Sequence, residues 1–153
     1  MKVLVVGIGH AFRRDDGIGP LVAERLAAMA LDGVEVLIHH GEGTDLMTRW
    51  RGYDLVVLVD ATLSGAAAGT VQSWDGAEPL PTSCFAKTSH VFGLAEAVEM
   101  ARLLGDLPPR LRIIGIEGAD FSPGQTITPS VLESLDEVIM MVVAFIRTNP
   151  HSK

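Results

Sequence analysis

Short apolar runs and amphipathic stretches alternate along the chain. Lys2 to Ile8 is an apolar, β-branched run, the pattern of a strand buried on both faces, and a glycine turn at Gly7 and Gly9 closes it. A polar loop, His10 to Arg14, leads to Asp15-Asp16, after which Ile18, Leu21, Val22, Leu26 and Met29 recur at helical spacing, so a helix is predicted from about Gly17 to Leu31. Val34 to His39 reads as a second strand, His40 to Gly43 as a polar loop, and Thr44-Asp45 as the opening of a short helix through Trp50. Leu55 to Val59 is a third buried strand ending in Asp60; Ala61 to Gly69 is loop, Thr70 to Trp74 an edge strand, and Asp75 to Ser83, with two prolines, irregular. A helix follows from Gly93 to Leu104, stopped by Gly105 to Pro109, then a last strand, Leu111 to Ile116, and a polar loop from Glu117 to Ile127. Thr128-Pro129 marks a helix start, Thr as cap and Pro in the first turn, for a helix running to about Thr148. This alternation predicts an α/β fold, a three-layer α/β/α sandwich on a mostly parallel, twisted sheet of about five strands. It leaves the strand order open.

Composition narrows the class. The 153 residues read as one domain, 1–153, and 48% apolar residues make it globular. A net charge of −7 argues against nucleic acid. The single cysteine, Cys84, excludes an internal disulfide and a Cys-based zinc site. No signal peptide is recognised, and the most apolar stretch, Val138 to Ile146, falls far short of the roughly 20 residues that cross a bilayer. A cytoplasmic protein without membrane insertion is expected, and a monomer.

Three polar residues stand at the exits of elements: Asp16 after the first strand, Asp60 at the end of the third, and His90 ahead of a helix. Such exits share one edge of a parallel sheet, so the three can converge there. Two oxygens and a nitrogen suit a divalent transition metal, and equally suit acid–base hydrolysis with one carboxylate protonated and the other charged. Plain structural roles are open to each residue. Either of Asp15 and Asp16 can cap the helix, Asp60 can brace the N–H groups of Ala61 to Ser64, and His90 can simply begin a helix. The Gly7-x-Gly9 turn is a weak nucleotide signal, because Phe12 stands where G-x-G-x-x-G needs glycine, and no Walker-type loop is present.

The opening GIGHAFRRDDGIG, the run LVVLVDA, the stretch KTSHVFGLAEAV and the late ITPSVLESLDEVI resemble, collinearly and over nearly the whole chain, the hydrogenase maturation endopeptidases. These process the large subunit of [NiFe]-hydrogenases. The resemblance implies an endopeptidase, aspartic-type or metal-assisted, that removes a short C-terminal extension from the nickel-loaded precursor. It also implies that Asp16, Asp60 and His90 are the catalytic, nickel-engaging residues, and that nickel arrives with the precursor instead of being held permanently. Where the family usually has asparagine after the second glycine, this chain has His10, for which a structural role is expected and an accessory metal contact is the alternative. The loop His39-His40-Gly41-Glu42-Gly43-Thr44-Asp45 only partly resembles the G-G-T-x-G loop that some members use to recognise their partner. It makes Gly41, Gly43, Thr44 and Asp45 the expected recognition residues and leaves the particular partner open. Two rival readings are a non-enzymatic, nickel-sensing chaperone of the precursor and a nucleotide-binding α/β domain. In the last helix, Met140, Met141, Ala144 and Phe145 are either covered by neighbouring loops or exposed as an apolar patch for the precursor.

Overall fold

The computed structural model describes residues 1–85 and 92–148, so His90 lies outside the described residues. Five strands form one sheet: β1 (Val3–Ile8), β2 (Val34–His39), β3 (Leu55–Thr62), β4 (Val71–Asp75) and β5 (Arg110–Glu117), in the order β2-β1-β3-β5-β4. The first four in that order run parallel, and β4 pairs antiparallel with β5 at the edge. The helices are α1 (Ile18–Ala28), α2 (Gly43–Arg49), α3 (Leu94–Leu104), α4 (Pro129–Glu133) and α5 (Leu135–Arg147).

Side-chain alternation sorts the strand residues between two cores. Leu4, Val6, Ile8, Val56, Leu58 and Ile113 pack with Leu46, Trp50, Leu94 and Val98 of the α2–α3 layer. Val3, Val5, Val57, Val59, Ile114 and Ile116 pack with Ile18, Val22 and Leu26 of α1 and with Val131, Leu135, Val138 and Val142 of α4–α5. Helices on both faces explain why β1 and β3 are buried at every position, as continuous apolar runs require. The alternation also decides a site residue: Asp60 follows Val56 and Leu58 onto the α2–α3 face.

From β1 the chain steps to β2 on one side, and β3 then pairs on the other side of β1. The topological switch point therefore lies between β1 and β3. Glycines let the segment after β1 fold back against that point. Gly9 has φ of +145°, and a Cβ there would stand 1.9 Å from the Asp16 carbonyl oxygen. A Cβ on Gly19 would fall 2.2 Å from the Ile8 carbonyl oxygen and 2.9 Å from that of Val59, so α1 begins in backbone contact with both central strands. Gly19→Ala must push α1 off the sheet; a loss of about 2–3 kcal/mol is expected in denaturant titration, within the cost of overpacking a tight core. A midpoint equal to that of the parent would contradict this contact.

Three local expectations are corrected. Neither Asp15 nor Asp16 caps α1; both lie in a 3-10 turn, Arg14–Gly17, ahead of it, and no side chain caps the helix. The cap of α2 is Glu42, whose carboxylate accepts the N–H groups of Thr44 and Asp45 at 3.1 and 3.0 Å. Thr128 stands at the α4 N-terminus, but its hydroxyl donates to Asp15 instead of capping. The last helix is interrupted at Ser134, whose hydroxyl donates to the Val131 carbonyl at 2.6 Å, dividing it into α4 and α5. Along α5, Met140 is 71% exposed and Ala144 is exposed, whereas Met141 and Phe145 are half-buried, packed against the core. Among the described residues no helix is long and apolar enough to cross a membrane.

Candidate active site

The carboxyl ends of β1 and β3 open into a narrow cleft lined by Asp16, Asp60, His10 and His40, by the backbone at Gly9 and Gly41, and by apolar walls from Ile8, Phe85 and Leu94. Two of the three candidate catalytic residues, Asp16 and Asp60, thus share one cleft at the switch point, both nearly fully buried. Asp16 is anchored by its Oδ2, which accepts the backbone N–H of His10 at 2.9 Å. That N–H is positioned by the glycine turn, and Gly9 ties the turn to the end of β2 by donating to the His39 carbonyl at 3.0 Å.

Asp15 turns the opposite way. Fully buried, it accepts the N–H groups of Ala119 (2.7 Å), Asp120 (2.9 Å) and Thr128 (2.7 Å), and the Thr128 hydroxyl (2.8 Å). Burial alone raises its pKa, but the hydrogen bonds together outweigh it and hold the carboxyl below the usual carboxylate value. The adjacent acids are divided between a brace and the cleft.

The brace expected of Asp60 is supplied by Glu117. Placed by sequence at the start of a loop, Glu117 is the last residue of β5, buried beside Thr62 of β3. It accepts the hydroxyls of Thr62 (2.9 Å) and Ser64 (2.7 Å) and the N–H groups of Ser64 (2.9 Å) and Gly65 (3.2 Å). No sequence signal separates Glu117 from other loop acids; its burial comes from pairing in register with Thr62.

In the β2–α2 loop, Gly41 lines the cleft at φ of +101°. Gly43 is buried: its N–H donates to the Phe92 carbonyl at 2.8 Å, and a Cβ there would meet the Phe92 ring at 2.4 Å. Thr44 is exposed on the first turn of α2. Asp45 accepts a hydrogen bond from His39 at 2.6 Å and one from Arg49 at 3.3 Å, and His39, first among its causes, holds its carboxyl below the usual value. His39, read from sequence as the end of the second strand, and His40, read as loop polarity, are the residues whose contacts local reasoning missed here.

Fold and cleft define an α/β protein with two buried carboxylates, Asp16 and Asp60, lining one cleft at the switch point; a pyrophosphate on the Gly7-x-Gly9 turn would meet those charges. The chain belongs to the hydrogenase maturation protease family, whose model matches residues 20–145. The Hydrogenase 2 maturation protease of Escherichia coli is 27% identical over 150 residues, covering 96% of this chain and 92% of that protein. The hydrogenase expression/formation protein HupD of Thiocapsa roseopersicina is 29% identical, covering 95% of this chain and 67% of that protein. Among solved structures, an endopeptidase from Escherichia coli superposes with a TM-score of 0.81 at 25% identity, covering 96% of this chain and 93% of that one. The chain is accordingly a hydrolase of the endopeptidase kind.

Proposed function

We propose that this endopeptidase removes a short C-terminal extension from the nickel-loaded precursor of a [NiFe]-hydrogenase large subunit, with Asp16, Asp60 and His90 engaging the nickel that the precursor carries. The observation that carries this reading is the placement of Asp16 and Asp60, from segments far apart in sequence, in one cleft at the switch point. The donor chemistry fits: two carboxylates with an imidazole suit a borderline divalent ion, and no cysteine joins them to compete with the precursor's thiolates. Nickel already held by the substrate lets the protease recognise loaded precursor and align the scissile bond before cutting. Asp16 and Asp60 orient the loaded site, and a carboxylate facing the carbonyl takes the proton of the attacking water as general base, then returns it to the leaving amine as the C–N bond breaks. The apolar walls at Ile8, Phe85 and Leu94 limit water at the reacting bond.

Incubation with nickel-loaded and nickel-free precursor, followed by mass spectrometry, tests the reading. Loss of the C-terminal extension from the loaded form alone is expected; an unchanged mass in both would overturn it. His10→Asn should keep processing within about twofold to threefold, since the anchor to Asp16 is the backbone N–H and survives the change. A loss beyond tenfold in that assay would instead make the His10 ring a metal contact.

A further inference from the structure

His39 ends β2 and is buried with a hydrogen bond at each ring nitrogen. Its Nδ1 accepts the Gly41 N–H at 2.8 Å, and its Nε2 lies 2.6 Å from Oδ2 of Asp45 in α2. A backbone N–H only donates, so Nδ1 carries no proton; the neutral ring keeps its single proton on Nε2 and donates it to the Asp45 carboxylate. One imidazole thus ties both ends of the segment from Gly41 to Asp45, and Gly41 lines the cleft. At φ of +101°, Gly41 has a backbone freedom that this bond removes. The carbonyl of His39 also accepts the Gly9 N–H at 3.0 Å, in the turn whose next N–H, that of His10, anchors Asp16. Both loops at the cleft are therefore fixed to one residue.

We infer that His39 is a positioning residue for precursor binding: its neutral imidazole holds the segment from Gly41 to Asp45 as a wall of the cleft, and its protonation releases Gly41. This rests on the proposed reading that the cleft receives the precursor. The release is a matter of proton count. A second proton can enter the ring only at Nδ1, where it faces the Gly41 N–H, so one of the two must move away. Burial lowers the pKa of the ring and outweighs the hydrogen bond to Asp45, which raises it. The other groups facing the ring are His40, stacked on it with centroids 4.7 Å apart, and Arg49, and both disfavour a second positive charge. The latched form therefore holds at neutral pH, and release follows acidification below the ordinary value of 6.5.

The test measures KM and kcat for cleavage of the nickel-loaded precursor across pH, with heteronuclear NMR of the His39 ring as a report that needs no precursor. At neutral pH the ring of the parent should show Nδ1 bare and Nε2 protonated; a proton on Nδ1 would overturn the inference. His39→Phe keeps a ring in the buried site and makes neither bond. It should raise KM about tenfold or more with kcat within about twofold, whereas a mere loss of folded protein lowers the apparent kcat at constant KM. His39→Asn retains an acceptor for the Gly41 N–H and cannot titrate, so it should rescue part of the loss, leaving KM about threefold above the parent. Below pH 6.5 the KM of the parent should rise relative to that of His39→Asn, since effects of acid on the precursor cancel in the ratio. Where His39→Phe does not fold, that ratio decides. A KM within about twofold of the parent in folded His39→Phe, or a ratio that stays flat from about pH 8 to about 5, removes this inference and leaves cleavage standing. Absent cleavage by the parent removes the protease reading, and the inference with it.

Discussion

Asp16→Asn and Asp60→Asn are each expected to reduce cleavage of the nickel-loaded precursor by more than about 100-fold while leaving the fold intact. On the function proposed above, the size follows from losing a direct contact to the reacting centre, where even supporting groups are worth about 10- to 100-fold. Asparagine keeps the shape of the side chain, and at position 16 its carbonyl oxygen can still accept the His10 N–H that anchors Asp16 now. The charge disappears, and with it both the attraction for the precursor's cation and the capacity to take a proton from water. Mass spectrometry of the precursor over time gives the rate, and thermal melting gives the stability. Cleavage within tenfold of the parent by a folded Asp60→Asn variant would remove Asp60 from the reaction and confine the chemistry to the other residues.

The neighbouring residue should behave in the opposite sense. Asp15→Asn is expected to cost about 3–5 kcal/mol of stability, with activity falling only as far as folding does. All four groups around Asp15 donate to it: three backbone N–H groups and one hydroxyl. Asparagine presents its own NH2 to some of these donors, so buried N–H groups lose their acceptor, at about 1–3 kcal/mol for each group left unsatisfied. Alanine should be no milder. The loop between β5 and α4 would loosen, since Asp15 is its tie to the turn ahead of α1. Urea unfolding at pH 7 measures the loss, and a change below 1 kcal/mol would contradict the bracing role.

A pH dependence follows from the same contacts. The Asp15 carboxyl titrates lower in the folded chain than in the unfolded one, whose ordinary value is 3.8. Its contribution is therefore fully present above that value and is lost as pH falls through the lower, folded value. The stability difference between the parent and Asp15→Asn should stay constant from pH 7 to about 5 and shrink on further acidification. A difference that grows toward acid would have the wrong sign for a brace that works as a carboxylate.

This contrast marks how far the sequence reaches. The strands were legible because burial on both faces imposes an unbroken apolar run, which is a local property. β2 occupies Val34–His39 as its pattern predicts, and β1, β3 and β5 differ from prediction by one to three residues at their ends. The α/β class was likewise a local matter, as was the family resemblance carried by collinear motifs, whereas Asp60, read at the exit of its strand, lies inside β3, which pairs on through Ala61 and Thr62.

Tertiary structure alone decided the strand order, and through it the location of the switch point. It also decided which acids brace and which face the cleft. Asp15 meets its partners 104 to 113 residues away and Glu117 meets its own 52 to 55 residues away, separations that no periodicity encodes. Asp15 and Asp16 are chemically identical and adjacent, and only the turn between β1 and α1 points one at the loop and the other at the cleft.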